Sequence, residues 1–99
     1  MVERRQSDRV PAKTSCILSV NGRAIAAQLE NISVHGALFT IKAAAGDTIS
    51  NSDLGFDASF VLTSVTPARK YIGEIIRLYF RDGDAHIALR FWKKYTEMG

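Results

Sequence analysis

The stretch Cys16-Ile17-Leu18-Ser19-Val20-Asn21-Gly22-Arg23-Ala24-Ile25-Ala26-Ala27-Gln28-Leu29 decides the fold. Cys16, Leu18 and Val20 alternate with Ser15, Ile17 and Ser19, and successive side chains on a strand point to opposite faces. Asn21-Gly22 follows at once. The type I′ form of a two-residue hairpin turn has φ > 0 at both central positions, which Asn and Gly accept. A second strand therefore returns antiparallel from Arg23 to about Ile32, with Ile25, Ala27 and Leu29 on one face.

Outward from this hairpin the period of two persists. Ser33-Val34-His35-Gly36 breaks it, and Ala37–Ile41 reads as a third strand with Ala37, Phe39 and Ile41 on one face. Residues 43–55 form a loop rich in Gly, Ser, Asn and Asp, and Ala43-Ala44-Ala45 is too short to nucleate a helix. Phe56, Ala58, Phe60 and Leu62 share a face of a fourth strand. After Thr66-Pro67-Ala68 turns the chain, a fifth strand runs from Arg69 to Phe80. In it Glu74 has the parity of Ile72, Ile76 and Leu78, which calls for a bulge or a paired carboxylate. Asp82-Gly83 marks another tight hairpin, and Ala85–Trp92 closes a sixth strand with Ile87, Leu89 and Phe91 inward. The tail from Lys93 to Gly99 allows at most a short helix. Six short strands without a long 3.6-residue period indicate an antiparallel barrel or sandwich over residues 14–99. Residues 1–13 read as a flexible basic arm.

Composition bounds what such a domain does. Ninety-nine residues make one domain, and a hydrophobic fraction of 46% with 23% charged residues excludes global disorder. No apolar run approaches the ~20 residues of a membrane span. The arginines of the N-terminus lead into no hydrophobic region, so it is not a secretory signal. A single cysteine, Cys16, builds no internal disulfide framework and fits a reducing cytoplasm.

No catalytic pattern emerges, and the expectation is a binding module rather than an enzyme. His35 and His86 lie on different elements without the further ligands zinc needs. Ser33 lacks the Gly-x-Ser-x-Gly elbow of an activated nucleophile, and no phosphate-cradling glycine loop is present. Two segments carry recognition chemistry instead. The arm holds Arg4, Arg5 and Arg9, with Lys13 beyond, and guanidinium groups grip phosphate bidentately, pair with guanine edges or stack on purines. The alternative for the arm is a solvated charged tail. Asn31-Ile32-Ser33-Val34-His35-Gly36 offers an amide and a hydroxyl beside a residue without a side chain. Its alternative is an ordinary polar turn.

Together, R-x-x-x-R at residues 5–9 and N-x-S-x-x-G at residues 31–36 resemble the PilZ domain, a bacterial receptor family for cyclic di-GMP. The similarity extends to Glu3-Arg4-Arg5 ahead of Arg9-Val10-Pro11, to Gly73-Glu74-Ile75-Ile76-Arg77 and to Ile87-Ala88-Leu89-Arg90-Phe91. The resemblance implies a six-stranded antiparallel β-barrel of the split-barrel type. It also implies that Arg5 and Arg9 grip the phosphates and guanines from the arm, while Asn31 and Ser33 line the barrel side and Gly36 keeps the site open. By the same resemblance Arg4 contacts a second nucleotide, so that the ligand binds as a stacked dimer, with no cofactor besides it. His35 departs from the family's frequent second glycine, and the short tail leaves Trp92 and Tyr95 either to cover the barrel's end or to form an exposed apolar surface.

The mechanism expected is that the dianionic ligand orders the arm, whose apolar content is little beyond Val2, Val10 and Pro11. The ordered surface then signals to a downstream protein in trans, since no output domain fits in these residues. Two other readings stand beside this one. One is an adaptor of the same fold that binds no ligand. The other is a small basic barrel for single-stranded nucleic acid, for which Tyr71 and Tyr79 share a parity with Arg69 and Arg77.

Overall fold

Alternation becomes pairing in the computed structural model, which describes residues 10–42 and 49–98. Seven strands follow in order: β1 (Val10–Val20), β2 (Arg23–Ile32), β3 (Gly36–Ile41), β4 (Asp57–Leu62), β5 (Ala68–Arg81), β6 (Asp84–Phe91) and β7 (Thr96–Met98). Six of them close a ring in the order β4-β1-β2-β3-β6-β5, with β5 returning to β4. Every pairing is antiparallel. The expected six-stranded antiparallel barrel is therefore observed. None of the described helical segments is long and apolar enough to cross a membrane.

The hairpin expected at Asn21-Gly22 is present. Asn21 and Gly22 take φ of 49° and 82°, and the turn sets the register that pairs Val20 with Arg23 and Leu18 with Ile25. That register puts Leu18, Val20, Ile25, Ala27 and Leu29 into the barrel, where all are buried. Ala37, Phe39, Ile41, Ala58, Phe60, Leu62, Ile87 and Leu89 join them. Removing most of a fully buried side chain such as Leu18 from this core costs about 2–5 kcal/mol.

Three details differ from the sequence reading, and one point it left open is resolved. Strand β1 starts at Val10, inside the segment read as arm, because Val10 and Pro11 find pairing partners in Ile32 and Asn31. Phe56 precedes β4 and is exposed rather than part of its inner face. The tail forms no helix. Thr96–Met98 instead adds to β5 opposite Ala68–Lys70, along backbone that β6 does not reach. Finally, the parity conflict at Glu74 is resolved both ways. The β5–β6 register shifts between Ile75 and Arg77, so Ile76 is an extra, exposed residue. Glu74 lies across from Arg90, 3.7 Å from its guanidinium.

That shift also separates the two tyrosines. Tyr71 is buried at 6% exposure, whereas Tyr79 is 43% exposed. They do not share a face, which removes the feature behind the single-stranded nucleic acid reading.

A second irregularity sits where β1 and β2 leave the hairpin. Register shifts occur between Pro11 and Thr14 on β1 and between Leu29 and Asn31 on β2. Lys13 takes φ of 31°, and its ammonium bonds the Glu30 carboxylate at 2.8 Å. The two bulges are thus clasped to each other. Hydrogen bonding by Lys13 holds the Glu30 carboxyl below its ordinary pKa, with Thr40 and Gln28 adding to the effect.

Candidate ligand-binding cleft

The chain breaks at residues 33–36 because Ser33 supplies a local substitute for ladder bonds. Its backbone N–H donates to the Gly36 carbonyl at 2.8 Å. Its hydroxyl accepts the N–H groups of His35 at 3.1 Å and Gly36 at 3.3 Å. The carbonyl of His35 in turn accepts the Phe91 N–H at 2.8 Å, which ties the turn to the end of β6. Val34 and His35 are left exposed at the tip.

Gly36 itself is buried. A Cβ there would lie 2.1 Å from the Leu89 carbonyl oxygen, and one at Gly73 on the other side of β6 would lie 2.5 Å from that of Arg90. The two glycines let β3 and β5 close in on β6 at Leu89–Arg90. This approach holds position 36 to glycine whether or not a ligand comes near.

Beside the turn opens a cleft of about 900 Å³. Its first wall is Ile32–His35. The opposite wall comes from Arg69 and Tyr71 of β5, Arg90 and Phe91 of β6, and Lys93–Tyr95 of the tail. Tyr71, Phe91 and Tyr95 of this wall top an aromatic column that rises out of the core. Phe39 meets Phe60 edge-on at 4.9 Å, Phe60 stacks on Tyr71 at 5.1 Å, and Tyr71 lies 4.7 Å from Phe91 and 5.4 Å from Tyr95. Tyr95 therefore packs over the barrel's end, as one of the two expectations for it held. Trp92 stays 55% exposed and donates its indole N–H to Asp57 at 2.9 Å.

The electrostatics of the cleft are one-sided. Arg69, Arg90, Lys93 and Lys94 line it, and no acidic residue does among the described residues. The Arg69 guanidinium lies 4.3 Å from the centre of the Tyr95 ring, a cation–π distance. A hydrogen bond with Tyr71 favours its charged form further. Its Nε is buried without a hydrogen-bond partner among the described residues, so a donor remains unmet at the wall. Such a surface attracts an anion that also presents flat aromatic faces.

Of the residues singled out in the sequence, Ser33 lines this cleft, and so do His35 and Tyr95. Asn31 sits two residues back on β2, half-buried, opposite Pro11 on β1 and Leu38 on β3. Gly36 closes the turn. Arg4, Arg5 and Arg9 lie outside the described residues. Arg90, Lys93 and Lys94 were not singled out, and Arg69 was noted only for nucleic acid. Their signal was present as cations placed next to aromatics, in Arg69-Lys70-Tyr71 and in Arg90-Phe91-Trp92-Lys93-Lys94-Tyr95.

Comparison with curated proteins finds no match. The family model of the PilZ domain matches residues 3–97. That span holds both sequence motifs, all seven strands bar the last residue of β7, and every residue of the cleft, and the chain accordingly belongs to the PilZ domain family.

Proposed function

We propose that the protein is a receptor for cyclic di-GMP that binds the ligand between the segment upstream of Val10 and the cleft beside the 33–36 turn. The observation that carries this reading is the coincidence of motif and cleft. Ser33, the central residue of the N-x-S-x-x-G motif, lines a cavity walled by four cations and by aromatic rings. Cyclic di-GMP is a dianion with two purines, and both features have a counterpart there. Membership of a cyclic di-GMP-binding family supports the same assignment. Val10 pairs with Ile32, so the chain that carries Arg9 and Arg5 joins the barrel beside Ser33.

In this reading Arg5 and Arg9 grip the phosphates and guanine edges, Asn31 and Ser33 contact the ligand from the barrel side, and Gly36 holds the turn. Arg4 contacts a second, stacked nucleotide, for which the cleft is large by the standard of small-molecule sites. The ligand fixes the arm against the barrel. Part of the binding energy offsets the ordering cost of about 1–2 kcal/mol per backbone residue. The surface so formed passes the signal to another protein in trans.

Calorimetric titration with cyclic di-GMP tests the assignment. The wild type is expected to bind two nucleotides per chain. The Arg5→Ala/Arg9→Ala variant is expected to lose at least about a hundredfold in affinity, since each charged hydrogen-bonding group contributes about 1.5–3 kcal/mol. Equal binding by both proteins would contradict the site. Binding at one nucleotide per chain would remove the role given to Arg4.

A further inference from the structure

The fifth strand outruns its neighbour. Its pairing with β4 ends at Asp57 and Glu74, and the last bonds on that side join Ile75 to Gly55 and Phe56. From Arg77 to Arg81 only β6 pairs with β5 among the described residues. Asp82 and Gly83, with φ of 55° and 86°, form a two-residue turn. Such a turn makes Arg81 and Asp84 the closing hydrogen-bonded pair. Ladder groups alternate sides along a strand, so Tyr79 also bonds toward β6, while Leu78 and Phe80 direct their N–H and C=O groups to the open side. Tyr79 and Phe80 are 43% and 52% exposed.

We propose that this open edge of β5 is the docking site for an extended acidic segment of a partner protein, which adds to the barrel as a further strand. Arg77, Tyr79 and Arg81 alternate along the edge on one face, and the Arg81 guanidinium lies 5.7 Å from the Tyr79 ring. Asp84, the cross-strand neighbour of Arg81, is 3.6 Å from Lys42. An added strand therefore meets two cations four residues apart with an aromatic between them. On the other face it meets the apolar Phe80 and Leu78. The matching sequence has acidic residues at positions 1 and 5 and apolar residues at 2 and 4.

Charge selects against a second copy of this chain. The two-fold register that uses the N–H and C=O groups of both Leu78 and Phe80 centres on Tyr79, and it sets Arg77 of each copy against Arg81 of the other. Like charges directly opposite are destabilising, which is one way an exposed edge is kept from pairing with itself. A nucleic acid strand would suit the arginines and Tyr79. It lacks the alternating donors and acceptors that an open strand edge demands, and a peptide supplies them. The site lies toward the end of β5 remote from the cleft and does not depend on the cyclic di-GMP reading.

The test uses the full ¹⁵N-labelled chain and the synthetic peptide SEVTVES. Its charge-reversed form SKVTVKS and oligo-dT serve as comparisons. The expected result is amide shifts confined to residues 77–81, with hydrogen exchange at Leu78 and Phe80 slowed on saturation. SKVTVKS is expected to bind about tenfold more weakly or not at all. An Arg77→Glu/Arg81→Glu variant is expected to exchange the two preferences while still binding cyclic di-GMP as the wild type does. Any of four results would overturn the proposal: no shifts with SEVTVES at millimolar concentration, equal shifts with both peptides, displacement of SEVTVES by oligo-dT, or the same amides protected in a dimer of the free protein.

Discussion

The two ends of the barrel arrange charge differently. At the end that carries the Asn21-Gly22 and Asp82-Gly83 turns, Arg23 and Lys42 are matched to carboxylates, while Arg77 and Arg81 run along the open edge of β5. Arg23 bonds Asp53, a residue only 4% exposed whose other oxygen accepts the Ser50 N–H at 2.9 Å. Lys42 faces Asp84. The Arg23–Asp53 pair fastens the Ser50–Asp53 turn to the barrel. At the other end Arg69, Arg90, Lys93 and Lys94 line one cavity that no described acidic residue lines, with Glu97 across from Arg69 and Glu74 3.7 Å from Arg90 lying outside its wall. A buried ion pair holds a fold together, whereas like charges gathered around one cavity cost self-repulsion that a bound anion relieves. On the reading proposed above, Arg23 and Asp53 build the barrel, and the cations of the cleft bind cyclic di-GMP.

Substitutions at the two ends should therefore fail in different assays. Asp53→Ala removes the buried carboxylate that bonds Arg23 and the Ser50 N–H and is expected to destabilise the fold by about 1–3 kcal/mol. Denaturant unfolding reads that loss, and cyclic di-GMP affinity should stay at the wild-type value. Arg90→Ala/Lys94→Ala should do the reverse. Unfolding stays within about 0.5 kcal/mol of wild type, as for surface changes generally, while cyclic di-GMP affinity falls about tenfold, or about 1.4 kcal/mol. If Asp53→Ala lowered affinity at unchanged stability, the contrast between the ends would collapse.

The smallest effect belongs to the Lys13–Glu30 clasp. Glu30 has a lowered pKa in the folded protein. Its contribution is therefore complete above the pKa of an unfolded glutamate and is lost as pH falls through the lower, folded value. Because the Lys13 side chain is 69% exposed, screening keeps this to a few tenths of a kcal/mol. Unfolding of Lys13→Ala at pH 7 and pH 3 should show that difference at pH 7 and a smaller one at pH 3.

The barrel was legible in the sequence because its determinants are local. Alternation in Cys16–Leu29 and a turn with its own φ requirement fix a hairpin without reference to distant residues. The bulge at Ile76 was only half legible. The parity of Glu74 demanded some irregularity, but its place follows from how β5 passes from β4 to β6. The strand at Thr96–Met98 was not legible at all, since three residues carry no pattern and pair only because Ala68–Lys70 has an open side. The cleft was legible on one wall. Ser33 belongs to a contiguous motif, but Arg69 and Arg90–Tyr95 meet it only through ring closure, which joins segments far apart in the chain. The requirement for glycine at position 36 had been tied to an open site, and the close approach to Leu89 is a second cause that no local pattern announces.

On this reading the cleft lined by Arg69, Arg90, Lys93 and Lys94 marks the cyclic di-GMP end of the barrel. Titrating the ¹⁵N-labelled protein with cyclic di-GMP and following every backbone amide tests it most directly. Shifts are expected at residues 33–36, 69–71 and 90–95, with residues 21–23, 53 and 81–84 unmoved. Shifts centred on the other end, or none at saturating ligand, would contradict it.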